Sequence, residues 1–539
     1  MGIIYYKEWL LIITKDLEKK LEGLGAFEIS SKMLKLAKNN EKHNKFLNAG
    51  RGNPNWINTE GRLALSRIVE FGVFESRRTI HEGNLAGYTN LDGIYERFMD
   101  FLDGGHEVDK FLRDAIDYSI KTLSVNKDEL VKEFVDGAIG NDYPVPNRCL
   151  VNTEKILKLY LEKELFGGVK LANETNVFPT EGGTAAICYI FNSLKENGLI
   201  KAGDKIAINT PIFTPYLQIP ELKDYEMVKV DLISKEENNW VIEDSELDKL
   251  RNKEIKALFF VNPSNPASKA LSEEALNHIA DIVKERKDLM IITDDVYGTF
   301  VENFKTIYSV APYNTLLVYS FSKLYGVTGW RLGLIAANEN NVFDELISKL
   351  PEEKLQDLDK RYGLVTFEPR KFKFIERIVA DSRSVGLYHT SGLSTPQQIQ
   401  MALFALTSLI TKGRDPYIES SKNLVRERYH DLCNTLGIKE DDSRENAKYY
   451  SLIDIYELAG DLYDHKFKEY LKENFEPIDF LLRLAEINGV VLMEGVGFGA
   501  APGILRVSEA NLPDEAYKKI AKQVLELLSE YYNQYKSQN

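Results

Sequence analysis

Cysteine is scarce in this sequence, with three residues among 539: Cys149, Cys188 and Cys433. Their spacing fits neither a metal site nor a disulfide framework. A chain that uses so little cysteine is typical of a reducing compartment, where disulfides do not persist. The sequence therefore predicts a cytoplasmic protein without a bound metal.

Basic charge and long apolar runs are also missing. The formal net charge is -14, whereas non-specific nucleic-acid binding needs a basic surface. The N-terminal apolar patch Trp9–Ile13 is far shorter than the roughly 18 residues that cross a bilayer, and no small-residue cleavage site is evident after it. We therefore expect neither a nucleic-acid partner nor a membrane partner.

Short apolar runs alternate with amphipathic segments between residues 150 and 340. The runs lie at 205–210, 255–263, 289–295 and 315–320. Such alternation is typical of a doubly wound, largely parallel sheet. The pattern predicts an α/β fold in which ligands bind beyond the carboxyl ends of the strands.

The segment between the second and third of these runs predicts an amphipathic helix. Leu276, Ile279 and Val283 share one face of it, and Ser272 precedes it. A serine at this position can cap the helix by accepting a hydrogen bond from a backbone N–H of the first turn.

The stretch Ser320–Ala336, SFSKLYGVTGWRLGLIA, begins where a buried strand is predicted to end. It places Lys323 among hydroxyl side chains, with Arg331 eight residues further on. Desolvation and a nearby cation favour a neutral amine that can attack a carbonyl, while Ser320, Ser322 and Arg331 suit a phosphate. The stretch predicts a Schiff-base lysine for a phosphorylated aldehyde; the alternative is a surface lysine beside a strand.

Two further segments carry candidate ligand contacts. EGGTAA places Gly183 and Thr184 at a helix start, where backbone amides and a hydroxyl can bind an anion; an ordinary helix start is the alternative. In PIFTPY, Phe213 could lie flat on a cofactor ring, although an aromatic residue at such a place is also common in the core.

The loops VNPSNPAS and TDDVYG follow the next two predicted strands. Asn265, between two prolines, can donate its side-chain amide to a phenolate oxygen; a simple turn asparagine is the alternative. Asp294 suits a protonated ring nitrogen, and Tyr297 suits the phenolate. The side chain of Asp295 should point elsewhere. With Lys323, the pair Asp294 and Tyr297 forms the predicted catalytic set.

The order and spacing of these residues resemble fold-type I pyridoxal phosphate (PLP) enzymes, the aspartate aminotransferase superfamily. The resemblance implies a large domain with a mostly parallel, doubly wound sheet, a smaller α+β domain, and PLP as the cofactor. It assigns Tyr143 to the phosphate across a dimer interface and Arg506 to the substrate α-carboxylate. Two departures, NPAS in place of NPTG and Glu494 in place of a proline, remove no chemical group. The implied cofactor-binding residues are Gly183, Thr184, Phe213, Asn265, Asp294, Tyr297, Ser320, Ser322, Lys323, Arg331 and Tyr143.

A narrower resemblance runs from about Phe27 to Tyr535. The motifs LNAGRGNPN, EGGTAA, TDDVYGTF and HTSGLSTPQQ, among others, are similar to the aspartate 4-decarboxylase family, which also carries aminotransferase activity. The resemblance implies β-decarboxylation of L-aspartate to L-alanine and CO2, with 2-oxo acids as further substrates. It also implies a homodimer at least, and a larger assembly of dimers. A dedicated aspartate or alanine aminotransferase is the alternative, because it shares every cofactor residue.

Aspartate has a second carboxylate, and its binding residue is predicted separately. Arg51 stands in a loop between two glycines, so it could orient this carboxylate without burying it. An arginine from a neighbouring subunit is the competing candidate, and Arg383, which precedes the HTSG loop, could serve.

The predicted domain organisation follows these patterns. Residues 1–60 form an N-terminal segment of the small domain, and 61–140 form a helical block. Residues 141–405 form the large PLP-binding domain, with a helical insertion at 340–380. Residues 406–539 complete the small domain.

Overall fold

A computed structural model describes residues 26–80, 85, 87–141, 143–144 and 147–538. The apolar patch Trp9–Ile13 near the N-terminus lies outside the described residues. None of the described helices is long and apolar enough to cross a membrane.

The strands of the described residues fall into three sheets. In chain order they are β1 (Leu47–Asn48), β2 (Thr175–Glu181), β3 (Lys205–Thr210), β4 (Val228–Ile233), β5 (Ile255–Val261), β6 (Met290–Asp294), β7 (Thr315–Ser320), β8 (Leu332–Asn338), β9 (Tyr450–Asp454), β10 (Val490–Val491), β11 (Met493–Glu494) and β12 (Ile504–Ser508). The four apolar runs that predicted strands are β3, β5, β6 and β7.

The largest sheet has seven strands in the order β2-β8-β7-β6-β5-β3-β4. All are parallel except β8, which runs antiparallel to both of its neighbours. Successive residues of β7 face opposite sides, so that Leu316 and Val318 pack in one core while Leu317 and Tyr319 pack in another. Burial on both faces explains the continuous apolar runs in the sequence, and it confirms the predicted doubly wound α/β fold.

Helices cover both faces of this sheet and also pack with one another away from it. In chain order they are α1 (Ala26–Lys38), α2 (Thr59–Thr79), α3 (Ile94–Phe101), α4 (Asp109–Leu123), α5 (Lys127–Ile139), α6 (Val151–Glu164), α7 (Gly183–Glu196), α8 (Thr214–Gln218), α9 (Asp244–Leu247), α10 (Glu273–Glu285), α11 (Ile307–Val310), α12 (Val342–Ser348), α13 (Glu352–Tyr362), α14 (Phe374–Asp381), α15 (Thr395–Leu409), α16 (Pro416–Leu436), α17 (Ile455–Leu462), α18 (His465–Asn474), α19 (Asp479–Asn488) and α20 (Glu515–Gln538). As predicted, the Ser272 side chain caps α10 by accepting a hydrogen bond from the Ala275 N–H.

Besides the core that contains Leu316 and Val318, two large cores bear on the domain organisation. Helices α2 to α6 and α15 pack in the first core, against one face of the large sheet. The second core joins the two ends of the described chain, because α1 packs against α19 and β1 pairs with β10. It also includes α20 and residues of the antiparallel sheet β11-β12-β9.

The boundary predicted between residues 405 and 406 cuts a continuous helix. Residues on both sides of it belong to α15 and are buried in the first core. The following helix, α16, spans both cores, with Val425 in the first and Leu432 in the second. The apolar periodicity of the two helices gave no sign of where one core ends and the other begins.

Strand β9 of the smaller sheet is followed directly by a helix. It ends at Asp454, whose carboxylate accepts hydrogen bonds from the N–H groups of Tyr456 and Glu457. An aspartate that satisfies these free amides is an N-cap, so the chain leaves β9 and enters α17 at this residue.

Candidate active site

A cavity of about 290 Å³ lies where the carboxyl ends of the parallel strands face the smaller sheet. Eleven of the thirteen predicted site residues line it. The lining residues are Gly50, Gly52, Asn53, Gly183, Thr184, Phe213, Tyr216, Val261, Asn265, Asp294, Val296, Tyr297, Ser320, Ser322, Lys323, Thr328, Arg331, Tyr450 and Arg506. Side chains separated by hundreds of residues in sequence therefore meet at a single edge of the large sheet.

One end of the cavity is built to hold an anion. Gly182 precedes α7 with φ of 89°, and a Cβ there would lie 2.7 Å from the Arg331 Nη2 atom. The glycine thus allows the guanidinium to lie against the amino end of the helix, where the amides of Gly183 and Thr184 are free of intrahelical partners. The hydroxyl of Ser320, 2.9 Å from the Ser322 Oγ atom, lies at the same end of the cavity.

Asp294 is buried at the carboxyl end of β6. The Tyr216 hydroxyl donates to its Oδ2 atom at 2.9 Å, and the Val296 N–H donates to Oδ1 at 3.3 Å. Burial nevertheless raises the pKa of Asp294 to about 6, because the carboxylate is desolvated. A carboxylate in this position is stabilised strongly by a cation placed against it. Asp295, as predicted, is not among the cavity-lining residues.

Tyr216 was missed by the sequence reasoning. It stands three residues after Phe213 in PIFTPY, and the two rings meet edge to face with centroids 5.2 Å apart. The second aromatic residue of that motif was the available signal, but its spacing alone does not reveal a carboxylate on a different strand.

Arg506 lies at the opposite wall of the cavity. Its Nη1 group donates to Asn265 Oδ1 at 2.9 Å and its Nη2 group to the Gly50 carbonyl at 2.6 Å. The guanidinium carbon lies between two rings, 4.3 Å from the centroid of Tyr450 and 4.7 Å from that of Phe498. Its buried Nε atom has no hydrogen-bond partner among the described residues. Burial lowers the pKa of this arginine, so an anionic ligand would relieve a desolvated charge.

Lys323 also lines the cavity. Its Nζ atom donates to the Gly52 carbonyl at 3.2 Å, and the Tyr449 hydroxyl donates to the same carbonyl at 2.9 Å. The hydroxyl oxygens of Tyr297 and Tyr450 are 2.8 Å apart. Burial raises the pKa of Tyr297 well above its ordinary value, so Tyr297 keeps its proton and can act as a donor.

Two predicted residues do not line this cavity. Tyr143 is 65 % exposed, and its ring lies 6.5 Å from that of His389. Arg51 is exposed, although both of its neighbours in the loop line the cavity. Arg383, the competing candidate, donates to Glu181 Oε1 at 2.6 Å. The guanidinium of Arg383 is therefore already paired within its own chain.

The family to which the chain is related follows from its sequence. The model of the family "Aminotransferase class I and II" matches residues 146–524. The chain belongs to this family. Among curated proteins, this aminotransferase-family chain is 42% identical to the bifunctional aspartate aminotransferase and L-aspartate beta-decarboxylase of Pseudomonas sp, over 96% of its own length and 98% of the relative. It is 29% identical to the aspartate aminotransferase of Pyrococcus horikoshii, over 42% of its length and 56% of that protein.

The fold comparison agrees with the family. The aspartate aminotransferase from Thermus thermophilus with maleate matches this aminotransferase-family chain with a TM-score of 0.57 and 17% identity. The match covers 96% of this chain and 99% of that one. At this level of identity the match bears on the fold alone, and it confirms the predicted fold-type I architecture.

Class I and II aminotransferases are PLP-dependent enzymes, and the cavity fits that cofactor. The amides before α7 and the Arg331 guanidinium suit its phosphate, while buried Asp294 suits its protonated ring nitrogen. Lys323 supplies an amine in the same cavity. Among the described residues, no group of three or more His, Cys, Asp or Glu side chains could hold a metal ion.

Proposed function

We propose that this protein is a PLP-dependent aspartate 4-decarboxylase that converts L-aspartate to L-alanine and CO2, with aspartate aminotransferase side activity. The observation that carries the proposal is the 42% identity to the bifunctional Pseudomonas enzyme over nearly the full length of both chains. The aspartate aminotransferase of Pyrococcus horikoshii matches only 42% of the chain. The match to the Pseudomonas enzyme includes the helices α2 to α5 and α12 to α14. The match to the Pyrococcus enzyme is too short to contain both groups of helices in full.

The chemistry divides between the cofactor and the chain. When bound, PLP supplies an electron sink for the charge left on the substrate by the departing α-proton and by the departing CO2. Lys323 would carry the cofactor and, once displaced by the substrate amine, remove and return the α-proton as a general base. Asp294 would keep the ring nitrogen protonated, and Tyr297 and Asn265 would donate to the phenolate oxygen.

Arg506 would bind the α-carboxylate of the substrate. Its fork-shaped guanidinium is already oriented by Asn265, by the Gly50 carbonyl and by the two flanking rings. Because these partners fix the guanidinium before the substrate arrives, little side-chain freedom is lost on binding. The Nη1 group carries a second N–H besides the one donated to Asn265, and this second N–H would donate to the carboxylate.

Decarboxylation and transamination would share these residues. The ratio of the two products depends on a difference between barriers, and each 1.4 kcal/mol or so changes it tenfold. The test is an assay of purified protein with L-aspartate, in which alanine and CO2 are followed over time with and without added pyruvate. Without added pyruvate we expect alanine and CO2 in equal amounts; added pyruvate can yield further alanine by transamination, and Lys323→Ala should release no CO2. Transamination of aspartate without CO2 release would instead support a dedicated aminotransferase.

We propose that Arg51 orients the β-carboxylate. Its neighbours Gly50 and Gly52 line the cavity, so a side-chain rotation at an exposed loop position can bring the guanidinium towards a substrate. An arginine that contacts the carboxylate only weakly can orient it for CO2 loss. Such a contact does not stabilise the substrate so strongly that the barrier to CO2 loss rises. Arg51→Ala should lower kcat/KM for aspartate strongly and change half-transamination of alanine little. Equal losses with both substrates would contradict this role.

The organisation of the protein is also part of the proposal. We propose that it is at least a homodimer in the cytoplasm and the unit of a larger assembly of dimers. In the dimer, exposed Tyr143 would contact the phosphate bound by the partner. Residues 26–60 and the chain after α15 would form one small domain. The packing of α1 against α19 supports this division.

A further inference from the structure

Tyr450 is a cavity residue that neither the sequence motifs nor the proposed mechanism uses. It is the first residue of β9 and is 3% exposed. Its N–H donates to the Ser268 Oγ atom at 2.7 Å, and its ring covers one face of the Arg506 guanidinium. Its hydroxyl lies 2.8 Å from that of Tyr297. The ring is thus fixed from several sides, and its hydroxyl is aimed at a catalytic candidate.

The direction of this hydrogen bond follows from counting protons. Each tyrosine hydroxyl has one proton to donate and lone pairs that accept. If Tyr297 donates its proton to the phenolate oxygen of bound PLP, as the proposed function requires, the proton between the two tyrosines must come from Tyr450. The chain of donors then runs from Tyr450 to Tyr297 and on to the phenolate. Successive hydrogen bonds of this kind strengthen one another in a buried site.

We propose that Tyr450 is a positioning residue, whose hydroxyl orients the Tyr297 hydroxyl and strengthens its donation to the phenolate of PLP. The inference rests on the proposed function only because it requires bound PLP in this cavity. Loss of the Tyr450 hydroxyl weakens the Tyr297 donor. More negative charge then stays on the phenolate oxygen, which favours the protonated form of the PLP chromophore.

The test is a pH titration of the absorbance of bound PLP, which needs no turnover. Tyr450→Phe keeps the ring on Arg506 and should move the midpoint to higher pH by about 0.3 to 1 unit, the scale of one net hydrogen bond. Tyr297→Phe should move it further in the same direction. The double variant should match Tyr297→Phe alone, because Tyr450 acts through Tyr297 and the two effects are not additive.

A matched control exists in the first core. Tyr160 and Tyr319 form a second buried pair of hydroxyls, 3.0 Å apart, and neither residue lines the cavity. Tyr160→Phe should therefore leave the midpoint unchanged. The Kd for succinate, a dicarboxylate without an amine, should change by no more than about twofold in Tyr450→Phe, because this substitution keeps the packing of the ring.

Three results would overturn the proposal. A midpoint unchanged in Tyr450→Phe would show that its hydroxyl does not act on Tyr297, and additive shifts in the double variant would show that the two hydroxyls act separately. Failure of Tyr450→Phe to retain PLP would also contradict it, because the phosphate contacts remain. The outcome is separable from the proposed function, since the release of CO2 from aspartate by the unaltered protein is a different measurement.

Discussion

Replacing Gly52 by alanine tests how tightly the Arg51 loop is packed against the site. A Cβ at this position would lie 2.0 Å from the Tyr450 hydroxyl oxygen, whereas ordinary contact begins at 3.4 Å. The two atoms must therefore separate by about 1.4 Å. Tyr450 is held by Tyr297 and by Arg506, so the loop must move instead. Overpacking of this kind costs about 1–3 kcal/mol of stability.

Movement of the loop also disturbs the site, because the Gly52 carbonyl accepts hydrogen bonds from Lys323 and Tyr449. Misplacement of reacting groups by about 1 Å costs roughly a hundredfold in rate, so kcat/KM for aspartate should fall by that factor in Gly52→Ala. Gly329→Ala is the control, since a Cβ there meets nothing within 4 Å. Thermal unfolding and initial-rate kinetics measure both effects. A Gly52→Ala protein with unchanged kcat/KM would refute this packing argument.

Three further predictions concern other groups. Asp294→Ala should retain some PLP through its phosphate contacts yet lose both activities by at least about a hundredfold; near-normal turnover in either assay would contradict the ring-nitrogen role. Burial raises the pKa of Glu509 to about 8, so its contribution to stability is present at low pH and is lost as pH rises through about 8. Glu509→Gln should flatten this fall in stability, which is at most about 1.4 kcal/mol per pH unit. Denaturant titrations from pH 5 to 9 measure the slope, and an unchanged slope in the variant would contradict this role. Mixing inactive Tyr143→Phe and Lys323→Ala subunits should restore up to about a quarter of the activity if the site is shared in a twofold dimer, and no recovery after subunit exchange would contradict sharing.

The residues at the strand ends could be predicted because chemistry and position coincide there. Each follows an apolar run, and the carboxyl ends of parallel strands meet at one edge. Lys323, Asp294 and Asn265 therefore appeared as a set in the sequence and line one cavity in the structure. The bounds of β7 and α10 also followed, because a buried run and a serine cap mark them clearly.

Contacts between distant segments could not be predicted in this way. Tyr216 reaches Asp294, and Tyr450 reaches Tyr297, across gaps of 78 and 153 residues. The periodicity of apolar residues in the sequence does not predict such pairs, because each residue resembles an ordinary core aromatic within its own segment. Domain boundaries were obscured for a related reason, because α16 packs in two cores with one continuous helical pattern.

The location of the cofactor tests the central claim most directly. The purified protein should show the absorbance of bound PLP, and borohydride reduction should fix the pyridoxyl group in place for peptide mass spectrometry. The account predicts modification of Lys323, and loss of both the absorbance and the modified peptide in Lys323→Ala. A pyridoxyl group on any other lysine would contradict the assignment of this cavity as the active site.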